Sequence, residues 1–290
     1  RITPLSKVLR GKKKFALILT PHGLTPDWQI FPKIQAAIKW LYQNSLGVFL
    51  INKTVDGIRA VSEWEKKDMI KHGINPNLLK VISNGIEEEA FADLEKFVSK
   101  QVRSIVSRNQ PYIIQVGRIH PIKNYETAIR ASAKLPKNLS YLIVGPEQDF
   151  QYKKELERLI KKLKLEKQVK FLGVVRGVDK YYLIKNAELM VHMATWEAYC
   201  NTVHEGMSQG LVCIVSSNTA LEEKVFEFIW VSSWRQTYGY LRNVLIGTTR
   251  EGTEFRGWDK DTRRKQSNLA FHNAFYNDLP RGAIYRESYL

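Results

Sequence analysis

Residues 112–123 read Tyr-Ile-Ile-Gln-Val-Gly-Arg-Ile-His-Pro-Ile-Lys. A short aromatic and β-branched run that stops at Gly117 predicts a buried strand, and Pro121 followed by a helical pattern over 124–135 predicts a turn into a helix. The same order recurs downstream. Strands are expected over Ser140–Val144, Val169–Leu172, Leu189–Met193 and Leu211–Ser216, with helices at 151–164, about 178–186 and 202–209 between them. Such alternation gives a doubly wound α/β domain with a parallel sheet, whose ligands bind at the carboxyl ends of the strands.

A similar alternation precedes it. Phe15–Thr20 reads as a strand ending in Thr20-Pro21-His22-Gly23, and Ile34, Ala37, Ile38 and Leu41 give Pro32–Tyr42 a helical period. Gly47–Asn52 and Gly57–Val61 read as short strands. Ser62 and Glu65 form a capping box for a helix that stops at Gly73, and Lys80–Ser83 is a strand closed by Asn84-Gly85. Residues 93–110 are charged and helical with little apolar period and are expected to link two domains. The expected division is a partial N-terminal domain over 1–105, a second domain over 106–225, and a tail over 226–290. The tail holds 2 Lys and 8 Arg against 26 Lys and 9 Arg before it. It is either a distinct element or sequence from a shifted reading frame.

With 290 residues, 44% hydrophobic and 26% charged, the chain can fill two cores. Cys200 and Cys213 are too few for a disulfide framework or a zinc site, and a reducing cytoplasmic compartment fits best. Phe15–Leu19 and Leu46–Ile51, the longest apolar stretches, are far too short to cross a bilayer. No signal-peptide pattern follows the first residue, Arg1, and the chain is expected to begin inside a longer protein. The formal charge of +16 has three readings: solvated lysine faces, attraction to an anionic membrane, or nucleic acid. Aromatic residues are not interleaved with the basic runs, so no nucleic acid is expected, and peripheral contact at the inner face of the membrane stays open.

Gly117 lets backbone approach a ligand, and Arg118 and Lys123 place two cations beside a helix start, where a phosphate would be held by backbone N–H groups as well. The second segment of interest, residues 197–205, reads Glu-Ala-Tyr-Cys-Asn-Thr-Val-His-Glu. Glu197 follows a strand and Glu205 lies on the next helix, sharing a face with Asn201. Carboxylates accept hydrogen bonds from vicinal hydroxyls, so Glu205 suits a ribose and Glu197 a sugar. A glycosidase could also use two carboxylates, but it leaves Arg118 and Lys123 without a role. The cleft so described suits a nucleotide sugar.

The ordered set Thr-Pro-His-Gly at 20–23, Val-Ser-Glu at 61–63, Asn-Gly-Ile at 84–86, Val-Gly-Arg with Lys123, and the Glu197–Glu205 segment resembles the family 4 glycosyltransferases of the GT-B fold. The match spans residues 15 to about 216. That resemblance implies two Rossmann-like doubly wound domains facing a cleft, the N-terminal one incomplete. It implies retaining transfer of a sugar from a nucleotide-sugar donor to a hydroxyl of a glycan, lipid or other acceptor, with no cofactor and no essential metal. Arg118 and Lys123 would hold the donor diphosphate and Glu205 the ribose. Glu197 would contact the transferred sugar, Tyr199, Cys200, Asn201 and Thr202 would offer backbone N–H groups, and His22 would face the reaction centre. The family usually has Gly-Phe-Gly after the first glutamate, where this chain has Ala198-Tyr199-Cys200. Asn124 replaces a frequent glycine and Val212 a frequent proline. A left-handed backbone at either former glycine would strain Ala198 or Cys200. A donor-binding module without turnover, a sugar-nucleotide epimerase on the same fold and a basic nucleic-acid binder are the rival readings.

Overall fold

The computed structural model describes residues 16–21, 33–44, 46–216, 219–220 and 229–231. Two parallel sheets organise them. The first has three strands in the order β1 (Ile18–Leu19), β2 (Gly57–Ala60) and β3 (Leu79–Val81). The second has six: β4 (Tyr112–Val116), β5 (Ser140–Val144), β6 (Val169–Gly173), β7 (Leu189–His192), β8 (Cys213–Ser216) and β9 (Ile229–Val231). Their spatial order is β6-β5-β4-β7-β8-β9. The chain therefore winds outward from β4 through β6, returns to the far side of β4 as β7, and winds outward again. Two βαβ halves built this way leave a crevice beyond the strand ends between β4 and β7.

Helices cover both faces of the second sheet, so its central strands read as continuous apolar runs. Tyr112, Ile113, Ile114, Leu189, Met190 and Val191 are fully buried. One layer buries Tyr112, Ile114, Met190, Val203 and Met207, and the other buries Ile113, Ile129, Leu156, Leu189 and Val191. Alternate residues of one strand thus serve opposite layers, as the two-residue side-chain period requires. The first sheet has a smaller core around Ile58, Ala60, Met69 and Ile74.

Local chemistry sets the first unit's boundaries. Ser62 Oγ accepts from the Glu65 N–H at 3.0 Å and caps helix Glu63–Lys71. The Glu65 carboxylate accepts from the Val61 N–H at 2.7 Å, one residue further back than a standard capping box. Gly73, at φ +89°, ends that turn.

Three expectations are corrected. Gly47–Asn52 lies in helix Leu46–Thr54, where Val48 and Ile51, three apart, pack on the first core while Phe49 faces out. A six-residue apolar run carries too little period to distinguish strand from helix. Residues 93–110 are a packed layer of the second unit, formed by helices Leu94–Phe97 and Lys100–Asn109. Leu94, Val98, Val102 and Val106, four apart, bury against Tyr182, Leu183 and Tyr112, and their burial is worth about 1.5–3 kcal/mol for each large side chain. Finally, β9 pairs with β8, so the second sheet continues beyond residue 225. His22 and the rest of the tail lie outside the described residues. Among those described, no helix is long and apolar enough to cross a membrane.

Candidate nucleotide-sugar site

The crevice between β4 and β7 opens into a cavity of about 310 Å³. Gly117, Arg118 and Lys123 line it from the β4 side, and Trp196 to Thr202 line it from the β7 side. Val61 and Asn84 close it from the first unit.

The β4 wall is held from behind. Gly117 N–H donates to the Val144 carbonyl at 2.8 Å, and Tyr125 Oη donates to the Gly117 carbonyl at 2.8 Å. Gly145 sits at φ +148°, and a Cβ there would lie 2.0 Å from the Gly117 oxygen, so only glycine permits this approach. Buried Gln115 donates to the Lys123 carbonyl at 3.2 Å and accepts from Tyr141 Oη. Lys123 ends the 3-10 turn Pro121–Lys123, ahead of helix Tyr125–Ser132. Asn124 between them is left-handed at φ 47°, a conformation its short amide tolerates, which explains how it stands where glycine is frequent.

Lys123 has a carboxylate partner inside the fold. Its ammonium donates to the Glu197 carboxylate. The same carboxylate oxygen lies 3.0 Å from His192 Nε2, and Cys200 Sγ lies 3.1 Å from that nitrogen. Burial alone would push the Glu197 carboxyl up, but His192 and Lys123 hold it down to about 2, so it is ionised throughout the physiological range. Burial lowers the His192 pKa, leaving a neutral imidazole that donates through Nε2. Burial also pushes the Cys200 thiol well up, so it stays protonated. His192, Glu197 and Cys200 place one ligand atom each within 4.8 Å of one another, and the Lys123 ammonium already covers this carboxylate.

Cys200 is left-handed at φ 65° and occupies the N-cap of helix Asn201–Ser208 without a side-chain cap bond. The strain expected at this former glycine position is therefore present at Cys200, at a cost of about 1–3 kcal/mol, whereas Ala198 does not adopt positive φ. Asn201 and Thr202, in the first turn of this helix, line the cavity, and first-turn N–H groups have no intrahelical partner. Arg118 is exposed and makes no bond to a described residue, so the rim offers a guanidinium, an ammonium and a helix N-terminus together.

Two family models match the chain: "Glycosyl transferases group 1" over residues 99–227 and "Glycosyltransferase Family 4" over residues 2–90. The chain belongs to the family 4 glycosyltransferases. One curated relative is the N-acetylgalactosamine-N,N'-diacetylbacillosaminyl-diphospho-undecaprenol 4-alpha-N-acetylgalactosaminyltransferase of Campylobacter jejuni, 29% identical over 182 residues, which are 62% of this chain and 47% of the relative. Another is the UDP-Gal:alpha-D-GlcNAc-diphosphoundecaprenol alpha-1,3-galactosyltransferase of Escherichia coli, 25% identical over 73% of this chain and 54% of the relative. The chain spans about half the length of the curated relatives it matches. Among solved structures, Anabaena HepE in complex with UDP and glucose shares the fold at a TM-score of 0.74 and 20% identity, covering 95% of this chain and 70% of that one. The two Rossmann-like sheets are those of the GT-B fold.

Of the residues that the sequence singles out in this glycosyltransferase-family chain, eight share the cavity: Gly117, Arg118, Lys123, Glu197, Tyr199, Cys200, Asn201 and Thr202. Glu205 stands apart on the helix flank, 3.1 Å from Lys180 Nζ, which also lies 2.8 Å from Glu87. Burial raises the Glu205 pKa, Lys180 pulls it back, and Glu87 adds to the rise. His192, Gln115, Lys180 and Asn84 were not singled out as site residues. The one available signal was polarity within apolar strands, at Gln115 in β4 and His192 in β7, which marks a buried hydrogen-bonding group.

Proposed function

We propose that this chain carries the donor cleft of a retaining glycosyltransferase that moves a sugar from a nucleoside-diphosphate donor to an acceptor hydroxyl without a metal. The supporting observation is the buried Lys123–Glu197 pair beside Arg118 and an uncapped helix N-terminus, at the switch point of a doubly wound sheet.

Cleaving the glycosidic bond builds negative charge on the departing diphosphate and positive charge on the sugar carbon. Lys123, Arg118 and the N–H groups of Tyr199 to Thr202 are donors for the first charge, and oriented donors that need no rearrangement are the larger share of such catalysis. Glu197, ionised at every physiological pH, meets the second charge and accepts from sugar hydroxyls. Held ionised beside Lys123, it accepts hydrogen bonds and does not donate a proton to a leaving group. Glu205 would receive the ribose at the helix flank, and His22 would face the sugar from the first unit. Both curated relatives carry a diphospho-undecaprenol unit in their names, which supports a lipid-linked glycan as acceptor. A formal charge of +16 suits work at an anionic inner membrane face from the cytoplasm.

Calorimetry with UDP and GDP tests the reading. Lys123→Ala should weaken binding of the preferred diphosphate by about tenfold or more, the size of a lost charge-assisted bond. Binding equal to wild type would show that the diphosphate lies elsewhere. NMR of the anomeric proton in the product would settle retention, and an inverted product would refute it.

A further inference from the structure

The first unit reaches the donor loop at two places: Ser62 Oγ donates to the Ala198 carbonyl at 2.6 Å, and a chain of hydrogen bonds starts from Arg59. Arg59, on β2, donates from Nε to the Ile82 carbonyl and from Nη2 to the Ser83 carbonyl and Asn84 Oδ1, each at 2.8 Å. A guanidinium can only donate, so the carbonyl end of the Asn84 amide must face it. The amino end then faces the second unit, where Nδ2 donates to Asn201 Oδ1 at 2.9 Å. Tyr199 Oη donates to the Asn84 backbone carbonyl at 3.0 Å. Asn201 lines the cavity at the helix N-terminus, and the contact with Asn84 takes its Oδ1 and leaves its Nδ2 outside that bond.

We propose that Arg59 and Asn84 are positioning residues: they hold the Tyr199–Asn201 loop and fix the Asn201 amide so that its donors, not its carbonyl, meet the donor diphosphate. This rests on the nucleotide reading above. Arg59 does not line the cavity and acts only through Asn84. The arrangement makes diphosphate binding in the second unit depend on a cation in the first, through three side chains with a fixed donor direction.

The test is a set of full-length variants read by UDP and GDP calorimetry and by amide hydrogen exchange. Asn84→Ala and Arg59→Met should each weaken the preferred diphosphate about tenfold, and the double variant should be no worse than the weaker single, since both break one chain. Exchange should quicken at residues 199–204 and stay unchanged in β5. Asn201→Asp keeps an acceptor for Asn84 Nδ2 but loses the donors facing the ligand, so it should retain exchange protection and still lose binding. If wild type binds and Asn84→Ala binds equally well, or the two single effects add, the relay is overturned while the nucleotide site stands. If wild type binds neither diphosphate, the nucleotide reading fails and the positioning role with it, and quickened exchange in Asn84→Ala would then report only a structural latch. Unchanged exchange in Asn84→Ala overturns the proposal whatever the binding.

Discussion

The floor of the cleft around Glu197 and the helix flank around Glu205 hold the same side chain at the same depth, 13% exposed in each, and each has a lysine in ion-pair contact. Their acidities nevertheless move in opposite directions. Glu197 has Lys123 and an imidazole donor, and among the described residues no second carboxylate pairs with that lysine. Glu205 shares Lys180 with Glu87, whose negative charge works against it. Burial costs both carboxylates, so the number of unshared donors decides the sign. A depressed, donor-rich carboxylate is suited to facing a developing positive charge. A raised one, leaning on a shared lysine, is suited to exchanging its partner for a ligand hydroxyl.

The largest effect that would break this contrast is at the floor. Glu197→Gln strands the Lys123 ammonium in a site where it is 12% exposed, and chemical denaturation at pH 7 should show a loss of about 3 kcal/mol. The sign with pH follows from the depressed value. The carboxylate contributes fully above the ordinary 4.5, and that contribution disappears as pH falls toward about 2, where variant and wild type should converge. Equal stability at pH 7 would remove the distinction between floor and flank.

A smaller loss is expected behind the floor. Gly145→Ala drives a Cβ into the Gly117 carbonyl and should lower stability by about 2 kcal/mol, with weaker diphosphate binding because Gly117 and Arg118 shift. Gly85→Ala in the first unit meets nothing within 4 Å and should change stability by less than about 0.5 kcal/mol. Matching melting temperatures for the two variants would show that the β4 wall is not held by this contact.

A smaller effect than at Gly145 is expected at the flank. The folded pKa of Glu205 is raised, so ionising it costs the folded state, and the cost develops as pH rises from about 4.5 through that folded value. Glu205→Gln removes the cost. Its stability should differ from wild type by less than about 1 kcal/mol, with wild type falling behind the variant as pH rises, the reverse of the slope at Glu197. Parallel slopes at the two sites would mean that partner sharing does not control them.

Much of this was legible in the chain. Strand β4 and its Gly117 turn, the Ser62 cap and the helix after Cys200 all announce themselves through local period and turn chemistry, because each depends on neighbours within four residues. The reading failed where local signals were ambiguous. Leu94, Val98, Val102 and Val106 do repeat every four residues, but the lysines and arginines between them disguised a buried stripe as a linker. Within the site, the residue types were legible and their partners were not. Lys123 meets Glu197 across 74 positions, and Asn84 meets Asn201 across 117.

Period, turn residues and spacing were thus enough to set the parallel doubly wound sheet, the strand ends that carry Arg118, Lys123 and Glu197, and the chemistry those groups can perform. Three matters needed the packed chain: which lysine neutralises which glutamate, that His192 supplies the second donor, and that Arg59 and Asn84 of one unit reach Asn201 of the other. The reason is physical. Secondary structure follows from forces acting over a few residues, whereas the charge state of a buried group depends on distances between atoms that only the folded sheets bring together.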